Sequence, residues 1–437
     1  VSSTKGIFKC FSCGKAGTAV SFVMEHEHLT YPEALRYLAK KYNIEIVEKE
    51  ESAEDLMQKQ HRESLMLVTE FAQKFFVKNL QEGEGRAVGL AYFHSRGLSD
   101  ETIARFGLGW APSNRNALAS AALAAGYREE YLIEAGLCTK YDDGRLMDRF
   151  HDRVTFPVHA VSGRVIAFSC RLLHEVPNAG KYVNSPETEI YVKSRALFGI
   201  YLAKGEISRL DKCYLVEGNV DVVSMHQLGI TNLVASCGTA LTVEQVRMIK
   251  RFTQNVTIMY DGDKAGIKAA LKGLRLVLAE GMNVKVVLLP DGKDPDDFAR
   301  THTLEEVQTY IAQNERDFIT FKAAMALKDA GDDPLKRAEL INEIADDIAL
   351  MPDPVKRSVY VEECSNRFGI ESRILFDRMN GTRKRARDEE FKAEERARAE
   401  AEAAAEAQRD AERQAELQKV AKNRLAKTDD GKPDFER

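Results

Sequence analysis

One stretch of the chain, from Lys212 to Phe298, alternates between two hydrophobic periods. Three short apolar runs rich in β-branched residues end abruptly in acidic residues, a pattern typical of buried strands. The segments between them space their apolar residues three or four positions apart, as amphipathic helices do. These predicted helices are Val220–Leu228, Val243–Phe252 and Lys264–Ala279. Strands alternating with helices predict an α/β fold, with a parallel sheet covered by helices on both faces.

Acidic residues follow each predicted strand of this stretch. They are Glu217 after the first strand, Asp261 and Asp263 after the second, and Asp294 and Asp296 after the third. Parallel sheets bind ligands beyond the carboxyl ends of their strands, so we expect these carboxylates to converge at one edge. Asp221, one helical turn further on, belongs to the same group, and Pro295 predicts a rigid acidic loop.

Clustered carboxylates repel one another unless cations neutralise them, and divalent metal ions prefer oxygen ligands. The pattern therefore predicts a two-metal site for phosphate chemistry. Two alternatives remain open at this point: a phosphoacceptor aspartate, or acids that only cap helices.

A basic segment, residues 141–205, immediately precedes the acidic stretch. Two strands, 154–160 and 164–173, are predicted there, joined by a Ser-Gly turn. Lys and Arg side chains beside aromatic rings can hold phosphates while bases stack. The alternative is the solvated face of an antiparallel sheet. Cationic groups next to a metal site favour the nucleotide-binding interpretation.

The N-terminal segment contains Cys10 and Cys13 in a CxxC pattern on a predicted turn, which is half of a tetrahedral zinc site. The alternative is two ordinary turn cysteines. His26 and His28 are the nearest further ligands, but they lie in or just after a predicted helix. Because the sequence lacks an initiator Met and begins close to this motif, we expect the other ligands upstream of it.

The remaining segments are mainly helical in pattern. Residues 48–65 predict a linker or a solvated helix, 66–140 a helical packing module, and 301–380 a small helical bundle. Residues 383–427 are almost entirely Ala, Glu, Arg, Lys and Gln with few apolar positions. That composition predicts an exposed single helix and not a coiled coil.

Composition narrows the class of protein. The chain has 437 residues, enough for two to four domains, and a net charge of −5, which leaves room for a local basic face. Transmembrane and secretory segments are not predicted, and most of the seven cysteines are isolated within apolar runs. Both features predict a protein of the reducing cytoplasm without a membrane partner.

The acidic motifs, VEGNVDVV, YDGDKAG and LPDGKDPDDF, resemble the Toprim domain of primases, topoisomerases and some nucleases. The last motif, together with the basic segments RVTFPV and GKYVNSPETEIYVKSR, is similar to bacterial DNA primases over roughly residues 1–380. The resemblance implies a mixed α+β polymerase core containing the Toprim sheet. It also implies a DNA-dependent RNA polymerase that makes short primers on single-stranded DNA from ribonucleoside triphosphates.

The resemblance also implies roles for individual residues. Glu217, Asp261 and Asp263 would bind Mg²⁺ or Mn²⁺, with Asp294 and Asp296 as a further catalytic pair. Template or nucleotide contacts would come from Arg153, Arg171, Lys181, Asn184, Lys193 and Arg195. Cys10 and Cys13 would be the second half of a zinc site. His151 stands where the family often has Arg.

The expected domains are a partial zinc ribbon (1–47), a linker (48–65), a basic subdomain (66–205), the Toprim domain (206–300), a helical subdomain (301–380) and a charged spacer (381–437). The helicase-binding domain of the family is expected to be absent, beyond a truncated C-terminus. A replicative helicase and a single-stranded DNA-binding protein are the expected protein partners, at the replication fork in the nucleoid.

Three other functions share parts of this pattern. A topoisomerase would need a nucleophilic Tyr in a winged-helix domain, which the sequence does not show. A recombination mediator without catalysis would not need the full set of acids or the GKYVNSPE segment. A fused primase–helicase would need a Walker A motif, which this sequence lacks.

Overall fold

Two compact units make up the chain in the computed structural model, and they divide between Glu63 and Ser64. The structure describes residues 1–2, 6–9, 16–26, 31–44, 52–177, 180–290, 293–330 and 333–428. In the first unit, the strands β1 (Ile7–Lys9) and β2 (Ala16–Thr18) form an antiparallel hairpin, followed by helices α1 (Ala19–His26) and α2 (Tyr31–Tyr42). Cys10 and Cys13 lie outside the described residues, so the predicted zinc half-site stays a prediction.

Helix α3 (Ala53–Leu80) contains most of residues 48–65, the segment predicted to be either a linker or a solvated helix. The solvated helix is what forms from Ala53 onward. Its buried positions begin at Leu65 and recur three or four residues apart through Phe76 to Leu80, as expected for one apolar helix face. The division between the two units falls within this helix.

A four-stranded antiparallel sheet follows in the second unit, with strand order β3-β6-β7-β8. The elements of this region are a π-helical segment (Gly85–Leu90), α4 (Ala91–Ser95), α5 (Asp100–Phe106), β3 (Gly109–Ala111), α6 (Ala117–Ala124), α7 (Glu129–Glu134), β4 (Cys138–Lys140), β5 (Leu146–Asp148), β6 (Arg153–His159), β7 (Val165–Arg171) and β8 (Tyr182–Asn184). The register sets Val154 opposite Arg171, and Arg171 opposite Tyr182. The basic residues of these strands therefore gather at one end of the sheet.

The prediction of a purely helical segment over 66–140 is wrong in two places. Strand β3 and the start of the β4-β5 hairpin lie within it. Both strands have three residues, too few to show a two-residue hydrophobic period. The predicted helix stops are correct: Gly97, Gly107 and Gly126 all have positive φ, and Gly107 ends α5 in the left-handed conformation at φ +64°.

The second sheet has six strands in the order β14-β13-β12-β10-β11-β9, with four central parallel strands and two antiparallel edges. Its elements are a 3₁₀ turn (Lys193–Arg195), β9 (Leu197–Phe198), α8 (Ile200–Leu210), β10 (Cys213–Val216), α9 (Asn219–Leu228), β11 (Leu233–Ser236), α10 (Val243–Lys250), β12 (Asn255–Tyr260), α11 (Lys264–Ala279), β13 (Asn283–Leu288), α12 (Pro295–Thr301), α13 (Leu304–Asn314) and β14 (Arg316–Asp317). The three predicted helices form, each within two residues of its predicted ends.

Helices cover both faces of this sheet, as predicted. Neighbouring strand residues belong to different hydrophobic clusters, because successive side chains of a strand point to opposite faces. Ile258 of β12 packs in the cluster that includes residues of α11, whereas Met259 packs in the cluster that includes residues of α9. The α/β fold within a mixed α+β core is therefore confirmed.

Four further helices follow the sheet: α14 (Phe318–Ala330), α15 (Pro334–Leu350), α16 (Pro354–Phe368) and α17 (Ser372–Thr428). Asp347 of α15 is 1% exposed and forms ion pairs with Lys322 of α14 at 2.6 Å and Arg275 of α11 at 3.1 Å. These pairs attach the bundle to the sheet. Within the described ranges, the structure contains no helix that is both long and apolar enough to span a membrane.

Candidate active site

The carboxyl ends of β10 and β12 bring Glu217 and Asp261 together. The two strands are parallel neighbours, and their register pairs Leu215 with Ile258, so Asp261 lies one residue beyond the level of Glu217. Adjacent strands are about 4.8 Å apart. The 44-residue separation of the two acids in the sequence therefore closes to a neighbouring position at the sheet edge.

The acids at this edge influence one another electrostatically. Partial loss of solvent around its carboxylate raises the pKa of Glu217, although the side chain as a whole stays exposed, and the charges of Asp261 and Asp263 raise it further. Burial, with the charges of Asp294, Asp263 and Asp297, raises the pKa of Asp261 to about 6. Acids that follow three different strands therefore lie close enough to raise one another's pKa values, as the predicted convergence requires.

One atom of this cluster fits a metal ligand particularly well. Oδ1 of Asp261 is buried, and no hydrogen-bond donor among the described residues reaches it. A buried carboxylate oxygen without a partner is costly, and a bound cation would remove the cost. The residues present therefore fit the divalent metal that the acidic pattern predicts.

Two acids of the cluster also begin helices. The carboxylate of Asp263 accepts a hydrogen bond from the Gly266 amide at 2.7 Å at the start of α11. Asp294 accepts one from the Asp297 amide at 2.7 Å at the start of α12. The predicted acidic loop around Pro295 is therefore wrong: Pro295 is the first residue of a helix, where its fixed φ and missing N–H cost nothing.

Asp296 occupies a different environment from the other acids. It is 1% exposed, and its two oxygens accept hydrogen bonds from the guanidinium of Arg96 and the hydroxyl of Ser224. Its carboxylate lies within 4.8 Å of those of Asp294 and Asp297. Arg96 comes from the turn after α4, 200 residues away in the sequence.

Buried Asp221 is a further acid near the edge. Its carboxylate accepts a hydrogen bond from the Gly218 amide at 2.8 Å. Burial raises the pKa of Asp221 well above its ordinary value, and the charge of Asp294 contributes to the shift. The charge of Asp221 also contributes to the raised pKa of Tyr182, for which burial is the main cause. Asp221 therefore lies near Tyr182, at one end of the antiparallel sheet.

Arg171 is the centre of the basic end of that sheet. Its guanidinium lies 5.4 Å from the ring centroid of Tyr92 and 5.6 Å from that of Tyr182, and it donates a hydrogen bond to the Tyr182 hydroxyl at 3.2 Å. A cleft of about 630 Å³ opens here, with Arg171, Lys181 and Tyr92 among its lining residues. Cationic and aromatic groups in one cleft can bind phosphates and stack on bases.

Arg153 lies at the same end of the sheet but does not face the cleft as an exposed cation. It is 6% exposed, and its guanidinium donates to the carbonyls of Gly180 and Lys181 at 3.1 and 3.2 Å. Arg153 therefore holds the segment that presents Lys181, and its predicted contact with template or nucleotide stays a prediction. His151 is half-buried, and burial together with the charges of Arg115 and Arg153 lowers its pKa.

The 3₁₀ turn that carries Lys193 and Arg195 is held on helix α10. Fully buried Gln245 donates to the carbonyls of Lys193 and Ala196 at 3.1 and 2.8 Å, and the Thr242 hydroxyl donates to that of Ser194 at 2.7 Å. This turn joins the two sheets. The Arg195 side chain is exposed and that of Lys193 is half-buried.

Asn184 makes a second junction between the sheets. It ends β8, and its amide group lies against Gly238, where a Cβ atom would be 2.0 Å from Nδ2 of Asn184. Gly238 lines a cleft of about 320 Å³ that also includes Glu217. Asn184 thus reaches the loop after β11, close to the acidic edge.

Several residues of this site lie outside the sequence-based prediction. Arg96, Tyr92 and Ser224 each touch predicted site residues, but they lie on or directly after helices whose spacing suggested only packing. Gln227 belongs with them, since it bonds the Gly97 carbonyl and the Ser99 amide, both at 2.7 Å. No local spacing marks these residues, because their partners come from distant segments.

Four family models match successive parts of the chain. They describe a CHC2 zinc finger (residues 1–54), the N-terminal domain of the DNA primase catalytic core (75–204), a Toprim-like domain (214–299) and the DnaB-helicase binding domain of primase (321–373). The last match shows that the expected absence of a helicase-binding domain is wrong. The matched residues lie mainly in α14 to α16, where the sequence pattern predicted a helical bundle without a binding function.

Similar proteins agree with these models. The DNA primase of Clostridium acetobutylicum is 37% identical over 383 residues, which are 86% of this chain and 62% of that protein. The DNA primase of Escherichia coli K12 is 33% identical over 375 residues, 85% of this chain and 64% of that protein. The chain thus spans less than two thirds of the length of these curated relatives.

Solved structures agree over most of their own length. The zinc-binding and RNA polymerase domains of the Aquifex aeolicus primase match with a TM-score of 0.64 and 31% identity, covering 86% of this chain and 88% of that one. A DnaG primase catalytic domain bound to single-stranded DNA matches with a TM-score of 0.63 and 33% identity, over 71% of this chain and 98% of that one. The chain belongs to the bacterial DNA primase family.

Proposed function

We propose that this chain synthesises short RNA primers on a single-stranded DNA template. The observation that carries the proposal is the acidic edge of the parallel sheet, where no donor of the described residues reaches one Asp261 oxygen, beside the basic and aromatic cleft around Arg171. An acidic edge alone suits many phosphate reactions. An adjoining cleft for bases and phosphates favours nucleotidyl transfer on a template.

Glu217, Asp261 and Asp263 are the proposed metal ligands, with Asp294 beside them. Mg²⁺ or Mn²⁺ ions held there would activate the attacking 3′-hydroxyl and stabilise the pyrophosphate that leaves the α-phosphorus. Asp263 and Asp294 are fixed by their helix-capping bonds, so each can offer its remaining oxygen at a defined position. Asp261 is the best candidate for a shared ligand, because three neighbouring acids contribute to its raised pKa.

The basic residues are proposed to bind the template and the incoming ribonucleotide. Arg171 and Lys181 would contact phosphates in the cleft, with Tyr92 and Tyr182 as stacking surfaces. Lys193, Arg195 and Asn184 would extend this surface along the junction between the sheets. Arg153 would act through Lys181, whose segment it holds.

The partners follow from the family models as proposals. Residues 321–373 would bind a replicative helicase at the replication fork, and residues 1–54 would bind zinc, with Cys10 and Cys13 as two ligands. Contact with a single-stranded DNA-binding protein remains a prediction. The proposed domains are those expected from the sequence, except that the helical subdomain 301–380 contains the helicase-binding match.

Replacing Asp261 with alanine tests the metal site. Asp261→Ala should reduce primer synthesis from ribonucleotides on single-stranded DNA with Mg²⁺ by at least about a thousandfold, since a lost metal ligand removes charge stabilisation in the transition state. Affinity for the DNA strand, measured by fluorescence anisotropy, should stay within about threefold of the parent, because phosphate contacts come from other residues.

The matched control is Asp388→Ala, which removes an exposed aspartate from α17. It should leave both synthesis and DNA affinity at parental levels. Continued synthesis by the Asp261→Ala variant would rule out the assignment of the metal ligands.

A further inference from the structure

Asp296 is the acid of this cluster that the structure sets apart. Both of its oxygens are engaged, by Arg96 and by Ser224, and its side chain is 1% exposed. A metal ligand needs a free lone pair directed at the ion and an accessible approach. The other candidate ligands keep at least partial exposure: Glu217 and Asp263 are exposed, and Asp261 and Asp294 are half-buried.

The contacts of Asp296 join three segments of the chain. Asp296 lies in the first turn of α12, Ser224 in α9, and Arg96 in the turn after α4. Gln227, one helical turn after Ser224, bonds the backbone on both sides of Leu98, at Gly97 and Ser99. We call Arg96, Ser224, Gln227 and Asp296 the clamp. It fixes α9 and α12 against the same turn.

Both clamped helices begin at acids of the metal site. Glu217 is followed by Gly218, the residue at the start of α9, and Asp221 lies in the first turn of that helix; Asp294 is the residue that caps α12. A shift of α9 against α12 would therefore change the separation of Glu217 and Asp294. Metal sites lose affinity when the groups that orient their ligands are removed, even though those groups do not touch the ion.

Charge supports the same role. The carboxylates of Asp294, Asp296 and Asp297 lie within 4.8 Å of one another, so an unpaired Asp296 would repel the other two. Arg96 supplies the nearer compensating charge at Asp296, with Arg300 further away at 3.9 Å. The Arg96 guanidinium also lies 5.7 Å from the ring centroid of Tyr92, the residue that contacts Arg171. The same turn thus touches the acidic edge and the basic cleft.

We propose that Arg96 and Asp296 are positioning residues, which set the spacing of the metal-binding acids through α9 and α12, and that Asp296 is not itself a metal ligand. The inference rests on the proposed function only in that the acids bind divalent metal. It changes the role of Asp296 from the catalytic one that the sequence suggested.

The test measures Mn²⁺ binding by electron paramagnetic resonance in the whole chain, without nucleotide or DNA. Arg96→Met should weaken binding about tenfold or more, the range for loss of a ligand-orienting group. The double variant Arg96→Met/Asp296→Asn should recover part of the affinity, since the amide removes the uncompensated charge, while the bond to Arg96 that positions α12 is still missing. Melting curves without metal should show the same order, with the double variant above Arg96→Met.

The matched control is Arg164→Met. Arg164 is partly buried and pairs with Glu70 at 2.6 Å, as Arg96 pairs with Asp296, but it precedes β7 at the opposite end from Arg171, about 20 Å away along the strand. It should leave Mn²⁺ affinity unchanged.

Three results would overturn the inference. One is parental Mn²⁺ affinity in Arg96→Met. Another is a pair of results: Asp296→Asn loses Mn²⁺ binding as completely as Asp261→Ala, and the double variant recovers none of it. That pair would show that Asp296 is a metal ligand. The third is a parent chain that binds no Mn²⁺, which would also overturn the proposed metal site. Parental affinity in Arg96→Met would instead contradict only the positioning role, because the metal site would still bind Mn²⁺.

Discussion

Buried titratable residues at the helix α9 junction show how single side chains depend on the fold. His226 is 7% exposed, and its ring packs edge-on against Phe106 with 5.0 Å between the centroids. Its Nε2 atom is buried and contacts no hydrogen-bonding group within the described part of the chain. Burial, with the nearby charge of Arg105, lowers the pKa of His226 to about 4. The folded protein therefore keeps this imidazole neutral at pH values where the unfolded chain protonates it.

His226→Phe should reduce the loss of stability in acid. The histidine pKa is lower in the folded state than its usual 6.5, so the unfolded chain binds more protons and stability falls as pH drops from 6.5 toward 4. At pH 5.5 this residue accounts for roughly 1 kcal/mol of that loss. Urea unfolding at pH 7.5 and 5.5 measures it, and an equal pH difference in parent and variant would contradict the assignment.

Helix α11 shows how an element is shaped by the site it supports. Its first turn packs so closely on the end of β12 that a Cβ atom on Gly266 would lie 2.4 Å from the carbonyl oxygen of Asp261. Gly273, further along the same helix, faces only the side-chain ends of Ile258 and Leu241, at 3.3 and 3.5 Å. Gly266, the second glycine of the YDGDKAG motif, is therefore required by a backbone contact. Its conformation alone would not demand glycine.

Gly266→Ala should both destabilise the protein and weaken metal binding. Displacing the Asp261 backbone should cost about 1–3 kcal/mol, as overpacking usually does. Mn²⁺ affinity should fall with it, because Asp261 is the proposed shared ligand. The same change at Gly273 in the same helix is the control, where a helix-propensity gain of up to about 1 kcal/mol offsets a small crowding cost. Equal melting temperatures and Mn²⁺ affinities in the two variants would refute this account.

At the scale of the whole molecule, α17 changes role along its length. Its first turns belong to the bundle: Leu375 and Met379 are buried, and Arg378 forms a bidentate pair with Asp346 at 2.7–3.0 Å. From Lys384 through Arg396 its residues are exposed. The 57-residue helix is one continuous element, whereas the sequence suggested a bundle helix followed by a separate spacer.

A chain that ends at Glu390 should melt within about 3 °C of the parent, because Phe391 to Arg396 are exposed and the segment after them is rich in Ala, Glu, Arg, Lys and Gln with few apolar positions. Its mean helical ellipticity should fall, since part of α17 is lost. A chain that ends at Ile370 serves as the comparison. It loses Leu375, Met379 and the Arg378–Asp346 pair, and should be destabilised by at least about 3 kcal/mol. Circular dichroism melts measure both, and a large loss of stability in the Glu390 chain would contradict the division of α17.

The sequence by itself determined the α/β sheet, its helices and the acids at its strand ends. The reason is local: strand and helix periods, capping residues and helix-stopping glycines act over a few residues. It also specified most of β6 and β7, whereas the register that places Arg171 beside Tyr182 of β8 came only from the structure. Strands of three residues such as β3 escaped this reasoning, because they are too short to show a period.

The tertiary structure alone decided which acids and cations are free to act. Asp294 and Asp296 look equivalent in the sequence, yet one caps a helix with partial exposure and the other is buried against Arg96, 200 residues away. Arg153 and Arg171 look equally basic, yet the first bonds backbone carbonyls and the second lies between two tyrosine rings. The burial and the bonding partners of these side chains depend on segments that are distant in the sequence. A local sequence pattern therefore cannot predict which of them are accessible.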